Sequence, residues 1–203
     1  MIVGITGSIG AGKSTLAQLL SDRGADLVDA DCIGHEMIET TPVKEELIEH
    51  FGSSIVAPDG ILDRRQLGRL AFASPASRNT LNQIVHPPLA RELWSRVDSC
   101  AGHPGTVVVV DAALLFEWGE LERFDLLVVV RASTPVSKAR VARRTGLEEA
   151  EVGQRMAHQM PLEEKVRRGD IVIDNDGTPD ELARQADDLW HRISREKAAA
   201  ETG

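Results

Sequence analysis

Residues 4–15, GITGSIGAGKST, restrict the fold of this chain more than any other stretch. Gly7, Gly12, Lys13 and Ser14 fall on the spacing G-x-x-x-x-G-K-[ST]. An apolar run, Ile2-Val3-Gly4-Ile5, comes before it, and Leu16, Leu19 and Leu20 follow at helical spacing. Glycines in such a loop let the backbone wrap an anion with its N–H groups turned inward. The helix that opens behind the loop offers its positive end to the same anion. Lys13 has the reach for β- and γ-phosphates, and the Ser14 hydroxyl is a ligand for Mg2+. With a strand before and a helix after, at the edge of a parallel sheet, Gly7, Ser8, Ile9, Gly10, Ala11, Gly12, Lys13, Ser14 and Thr15 read as a nucleotide loop. The alternative is a structural glycine turn.

The rest of the periodicity builds a sheet around that unit. Residues 2–6 predict a buried strand and 13–22 a helix stopped by Gly24. ADLVDAD (25–31) predicts a second short strand ending in two aspartates. Residues 32–51 predict helix with a break at Thr41-Pro42, and 63–73 and 76–99 predict further helices, the second interrupted by HPP at 86–88. Then the period changes. TVVVVDAALLF (106–116) and DLLVVV (125–130) are apolar without alternation, the mark of strands covered on both faces. DIVIDN (170–175) predicts the last strand. Residues 179–195 predict a closing amphipathic helix with Leu182, Ala186, Leu189 and Ile193 on one face, and KAAAETG predicts a frayed tail. Five strands separated by helices predict a three-layer α/β fold with a five-stranded parallel sheet. The long crossover between the second strand and the 106–111 strand holds only helical segments, so it predicts a cap beside the sheet rather than a second domain.

A chain of 203 residues with 42% hydrophobic content can bury the core of one such domain. No run of 18 apolar residues predicts a membrane span, and the N-terminus lacks a basic segment followed by an apolar one, so the expected location is the cytoplasm. Nothing in the sequence sets the oligomeric state, and a monomer is the working expectation. Cys32 and Cys100 are too few for a disulfide framework or a zinc site and read as small buried apolar side chains. A net charge of −9 argues against nucleic acid as a partner. Within this acidic chain Arg131, Lys138, Arg140, Arg143 and Arg144 cluster, as do Lys165, Arg167 and Arg168. These clusters read either as a local anion site or as solvated helix faces.

Nucleotide binding leaves three classes: a small-molecule kinase, a GTPase-type switch and a regulator that transfers nothing. The guanine-reading N-K-x-D is absent, which counts against the switch. A kinase needs a base beside the acceptor. Asp29 and Asp31 stand at the carboxyl end of the second strand, where ligands bind in open α/β sheets, and either carboxylate there is a candidate general base. The competing reading of Asp31 is a helix N-cap. Asp111 ends the third strand and reads as an acid that reaches the metal through water. His35, His86 and Glu117 lie near element ends, where structural and catalytic readings both stand.

Taken in order, several segments resemble those of the dephospho-coenzyme A kinase family: GITGSIGAGKST, DADCIGHEM (29–37), LDRRQLGRLAF (62–72), NQIVHPPL (82–89), LLFE (114–117), RVARR…QRMAHQ (140–159) and DIVIDNDG (170–177). The resemblance runs over residues 2–190. It implies an adenylate-kinase-like P-loop kinase fold over 1–203, with a core (1–30, 104–138 and 168–195), a helical CoA-binding cap (31–103) and a lid (139–167). It implies ATP and dephospho-CoA as substrates and Mg2+ as cofactor. The γ-phosphate would pass to the ribose 3′-hydroxyl, giving CoA and ADP in the last step of CoA synthesis. Carried over by position, Asp31 is the base, Lys13 the phosphate lysine and Arg140 a lid arginine over the transferring group. Arg144 is a further candidate at ATP and Arg155 at the acceptor. Asn175 and Gly177 match the segment near the adenine, and His35, Asp63, Arg64, His86 and Glu117 match acceptor-side positions. Two residues depart from the family pattern: Ala113 stands where proline is common and Gly169 where alanine is. The alternatives are another small-molecule kinase, of nucleosides or metabolites, and a catalytically silent nucleotide-binding protein.

Overall fold

Strands β1 (Ile2–Gly7), β2 (Asp26–Asp29), β3 (Val108–Asp111), β4 (Leu126–Arg131) and β5 (Ile171–Asp174) pair in the order β2-β3-β1-β4-β5, every pair parallel. The structure is a computed structural model that describes residues 1–102, 105–119, 121–146, 152–153, 156–157 and 159–201. The strand that feeds the glycine loop is therefore the central one. Val108, Val109, Val110, Val128, Val129 and Val130 are fully buried, as strands covered on both faces require. On one face α1 (Lys13–Ser21) and α9 (Pro179–Glu201) bring Leu16, Leu20, Leu182, Leu189 and Ile193 against Val3, Ile5, Val109 and Val128. On the other lie α6 (Leu115–Trp118) and α8 (Leu162–Arg168). Gly4 faces them, and a Cβ on it would stand 2.9 Å from both Leu115 and Phe124. Helix α7 (Thr134–Thr145) follows β4.

The chain divides into two compact units, Met1–Asp29 with Val97–Gly203, which carries the sheet, and Ala30–Arg96. The second unit holds α2 (Ala30–Met37), α3 (Thr41–Phe51), α4 (Arg64–Ala71) and most of α5 (Pro75–Ala101). Its own core is Ile38, Val43, Leu47, Ile55, Leu62, Leu67 and Ile84.

Several expected elements differ in extent. The third strand stops at Asp111, and Leu115–Trp118 is helical. Valine fills the strand, whereas the residues after it are alanine, leucine and phenylalanine, which accept a helix. Burial of Leu115 and Phe116 is the same either way, so hydrophobicity could not mark the change. The second strand ends at Asp29, and Asp31 lies inside the first turn of α2 rather than before it. Helix α5 is continuous through Pro87 and Pro88. The two prolines remove two backbone donors, yet Ile84, Leu89 and Leu93 on either side stay buried at near-helical spacing. That burial carries the helix across the break. Helix α9 reaches Glu201, beyond the expected end at 195, and the Lys197 ammonium donates to the Gly105 carbonyl. Cys32, expected to be buried, is exposed because Ile33 takes the inward position on α2, and Cys100 near the end of α5 is half-buried. Among the described residues no helix is long and apolar enough to cross a membrane.

Candidate active site

The glycine loop leaves β1 and is pressed from two sides. Gly12 has φ +100°, and a Cβ there would stand 2.1 Å from Asn175 Nδ2; Gly10 has φ +79°, and its Cβ would stand 2.4 Å from the Ser137 carbonyl of α7. Only glycine tolerates both the dihedral and the contact. Lys13 opens α1 and is 8% exposed, with Nζ folded back 3.4 Å from the Ser8 carbonyl. Ser14 and Thr15 are exposed beside it.

Asn175 ties this region together. It is 6% exposed, Nδ2 donates to the Ala11 carbonyl at 2.7 Å, and its backbone N–H donates to the Arg131 carbonyl at 2.7 Å. Its own carbonyl accepts from Arg140 Nη1 at 2.8 Å. The Arg140 guanidinium is thus anchored to the segment that braces the loop. Arg144, one turn on, is exposed, and Arg155 lies outside the described residues. Gly177 precedes a reciprocal cap of α9, in which Thr178 N–H donates to Glu181 Oε2 at 2.7 Å and Glu181 N–H to Thr178 Oγ1 at 3.3 Å. The Thr178 backbone N–H holds the Glu181 carboxyl below its ordinary range. Beside this cap a cavity of about 420 Å3 is lined by Asn175, Gly177, Thr178 and Gln185, among others.

At the carboxyl edge of the sheet Asp29 pairs in register with Asp111, and Asp111 with Ile5 of β1. Asp111 is buried and Asp29 exposed. Among the described residues no three His, Cys, Asp or Glu side chains form a metal cage. A Mg2+ held mainly by phosphate oxygens and water needs none, and the oxygen donors of Ser14 and Asp111 suit that ion.

Two residues that the sequence reading did not place at the site join it. Lys165 of α8 is fully buried; its Nζ donates to the Ala113 carbonyl at 2.6 Å and pairs with Glu117 Oε1 at 3.1 Å. Burial pushes its pKa down, Glu117 pushes it back up, and the charge of Lys13 adds to the lowering. Lys165 therefore sits within the field of the loop lysine. The sequence carries a signal for this: Lys165 shares an inward stripe of α8 with Leu162 and Val166. Gln159 is the second, its Oε1 accepting the Ile9 backbone N–H at 3.0 Å. Glu117 also accepts the Met160 N–H at 2.9 Å, so both its functions face the sheet-bearing unit.

The remaining candidates lie in the Ala30–Arg96 unit. Asp31 is exposed in the first turn of α2 and His35 exposed in its last. Asp63 caps α4, Oδ1 accepting from the Arg65 and Gln66 N–H groups at 3.0 Å each; Arg64 is exposed at the start of that helix. His86 is half-buried in α5, just before its two prolines.

A profile of the dephospho-CoA kinase family matches residues 1–181. The chain belongs to the dephospho-CoA kinase family. The dephospho-CoA kinase of Symbiobacterium thermophilum is 42% identical over 190 residues, covering 93% of this chain and 80% of that one. That of Geobacter metallireducens is 39% identical over 191 residues, with 94% and 95% covered. A crystal structure from Thermus thermophilus is 35% identical, superposes with a TM-score of 0.80, and covers 95% of this chain and 97% of its own. As a member of the dephospho-CoA kinase family the chain is a kinase, and ATP is its co-substrate.

Proposed function

We propose that this kinase passes the γ-phosphate of ATP to the 3′-hydroxyl of the dephospho-CoA ribose, giving CoA and ADP. Family membership supplies the reaction, ATP-dependent phosphorylation of dephospho-CoA in CoA synthesis. The observation that carries the site assignment is the braced loop, with a buried lysine folded over it and an arginine anchored beside it. Backbone N–H groups of the loop over residues 7–15 hold the phosphates, apart from those of Ile9 and Ala11, which donate to Gln159 and to the Ser8 carbonyl, and Lys13 reaches the terminal ones. Arg140, and Arg144 on the same helix, face charge on the transferring oxygens, for which a planar guanidinium is suited. Asn175 holds the loop and Arg140 in place, and the cavity beside Gly177 is of a size for the adenine end. Ser14, and Asp111 through water, would hold Mg2+, which supplies charge neutralisation at the phosphates when bound.

Asp31 takes the proton of the attacking hydroxyl as the new P–O bond forms and the bond to the β-phosphate bridge breaks, leaving ADP. His35, Asp63, Arg64, His86, Glu117 and Arg155 are the acceptor-side set, with Asp63 and Glu117 acting through the segments they hold. The core, the cap over residues 31–103 and the lid over residues 139–167 are the corresponding division of labour. The test is Asp31→Asn. Asparagine is nearly isosteric and leaves helix α2 intact, so ATP affinity and melting temperature should stay near wild type while kcat falls by about 10²–10⁴. Normal turnover would remove Asp31 from the chemistry and leave Asp29 as the candidate.

A further inference from the structure

We propose that Gln159 is a terminal-phosphate residue of the nucleotide loop, one that separates ATP from ADP. The inference rests on the proposal that the loop holds ATP. Three observations converge on the same end of the loop. Lys13, the side chain with the reach for the terminal phosphates, places its ammonium at Ser8. The next backbone N–H, that of Ile9, is taken by Gln159 Oε1 at 3.0 Å. The buried ammonium of Lys165 lies close enough to Lys13 for the two charges to repel. This end of the loop therefore gathers positive charge, and Gln159 stands in it.

The chemistry of the carboxamide sets what it does there. Ile9 N–H is a donor, so the end of Gln159 that meets it must be the oxygen, and the other end is an NH2 with two donors. With Oε1 held by the loop, the amide is oriented before nucleotide arrives, and its NH2 is a ready partner for a phosphate oxygen. The side chain is also fixed from behind. Met160 N–H, one residue on, donates to Glu117 at 2.9 Å, and Glu117 is held by Lys165, which in turn bonds the Ala113 carbonyl. The Glu117–Lys165 pair thus acts as a positioning element for Gln159. A carboxylate at position 159 would cap Ile9 equally well and would repel phosphate, so the need for a donor explains the amide.

The experiment is calorimetric titration of ATP and of ADP, without acceptor, into the wild-type chain, Gln159→Met and Gln159→Glu. Methionine fills the same space with neither donor nor acceptor. The Kd of Gln159→Met for ATP should rise about tenfold, as for loss of a hydrogen bond to a charged group, with ADP changed by less than about twofold. Gln159→Glu, which restores the Ile9 cap without the donor, should not recover ATP binding. The inference is overturned if Gln159→Met weakens both nucleotides equally or neither, or if Gln159→Glu recovers wild-type discrimination, which would make Gln159 only a cap. A wild-type chain that binds neither nucleotide overturns the reading of the loop itself, a different result from a binding loop with unaltered ATP preference.

Discussion

Lys165 is fully buried, with one carbonyl and one carboxylate beside its Nζ. Burial comes first among the causes that lower its pKa, and Glu117, itself 24% exposed, restores only part of the loss. The unfolded chain holds this proton up to the ordinary value of 10.5, and the folded chain releases it earlier. Between those two values the unfolded state binds more protons, so folding stability rises with pH. Urea unfolding of the wild type and of Lys165→Met should show this as a difference. The wild type should gain on the variant as pH climbs from neutral towards 10.5. A difference that is flat, or that falls with pH, would contradict the burial of a charged lysine at this position. Asn175 shows the other kind of residue that sequence reading reaches only halfway. The resemblance of DIVIDNDG to the family sets it near the adenine and not against the loop, because the brace onto Ala11 and the hold on Arg140 depend on residues far apart in the chain.

At the scale of elements, the junction of α8 and β5 carries one of the two departures from the family pattern. A Cβ on Gly169 would stand 2.5 Å from Val129 Cγ2 on β4. Gly169 has an ordinary φ of −84°, so alanine would restrict the unfolded chain and gain about 0.4–1 kcal/mol on that account. Overpacking against a stiff β-branched side chain on an interior strand costs about 1–3 kcal/mol. The clash wins, and Gly169→Ala should lower the melting temperature. Adding Val129→Ala should make the double variant more stable than the sum of the two single losses, since the two side chains share one space. Additive losses, or a Gly169→Ala chain that melts like the wild type, would contradict the close packing. Ala113 is the milder departure, because its contribution is a carbonyl accepting from Lys165 and Thr6, and proline would keep that group.

Strands β3 and β4 were legible because valine runs buried on both faces admit few alternatives, and the loop because its glycine and lysine spacing follows a strand and opens a helix. The short helix after β3 and the passage of α5 through two prolines were not, since both are decided by packing that a linear pattern does not contain. Of the candidate site, the loop and Lys13 were legible from residue type and spacing, and Arg140 only from the resemblance to the family, its cluster alone leaving anion site and solvated face both open. In sequence Lys165 reads only as one of a basic cluster, either anion site or solvated face, and Gln159 only as the end of a family-like segment, because a lysine and a glutamine among charges show their burial and partners only once the chain is folded.

At the scale of the whole molecule, the chain carries a net charge of −9, and the proposed function turns some of its cations toward the polyphosphate. Lys13, Arg140, Arg144 and Lys165 all belong to the sheet-bearing unit. The proposed base Asp31 opens the Ala30–Arg96 unit immediately after β2. In the proposed function ATP is held by residues of the first unit and the proton is taken by a residue of the second, and the fate of the phosphate tests the reaction. The most direct measurement is 31P NMR of the products formed from ATP and dephospho-CoA, with ADP release followed in the same sample and in one lacking dephospho-CoA. The account predicts one new phosphomonoester on the ribose 3′-oxygen, formed one for one with ADP, and ADP release at background without the acceptor. ADP released at the same rate without dephospho-CoA, or phosphate found on any other atom, would contradict it.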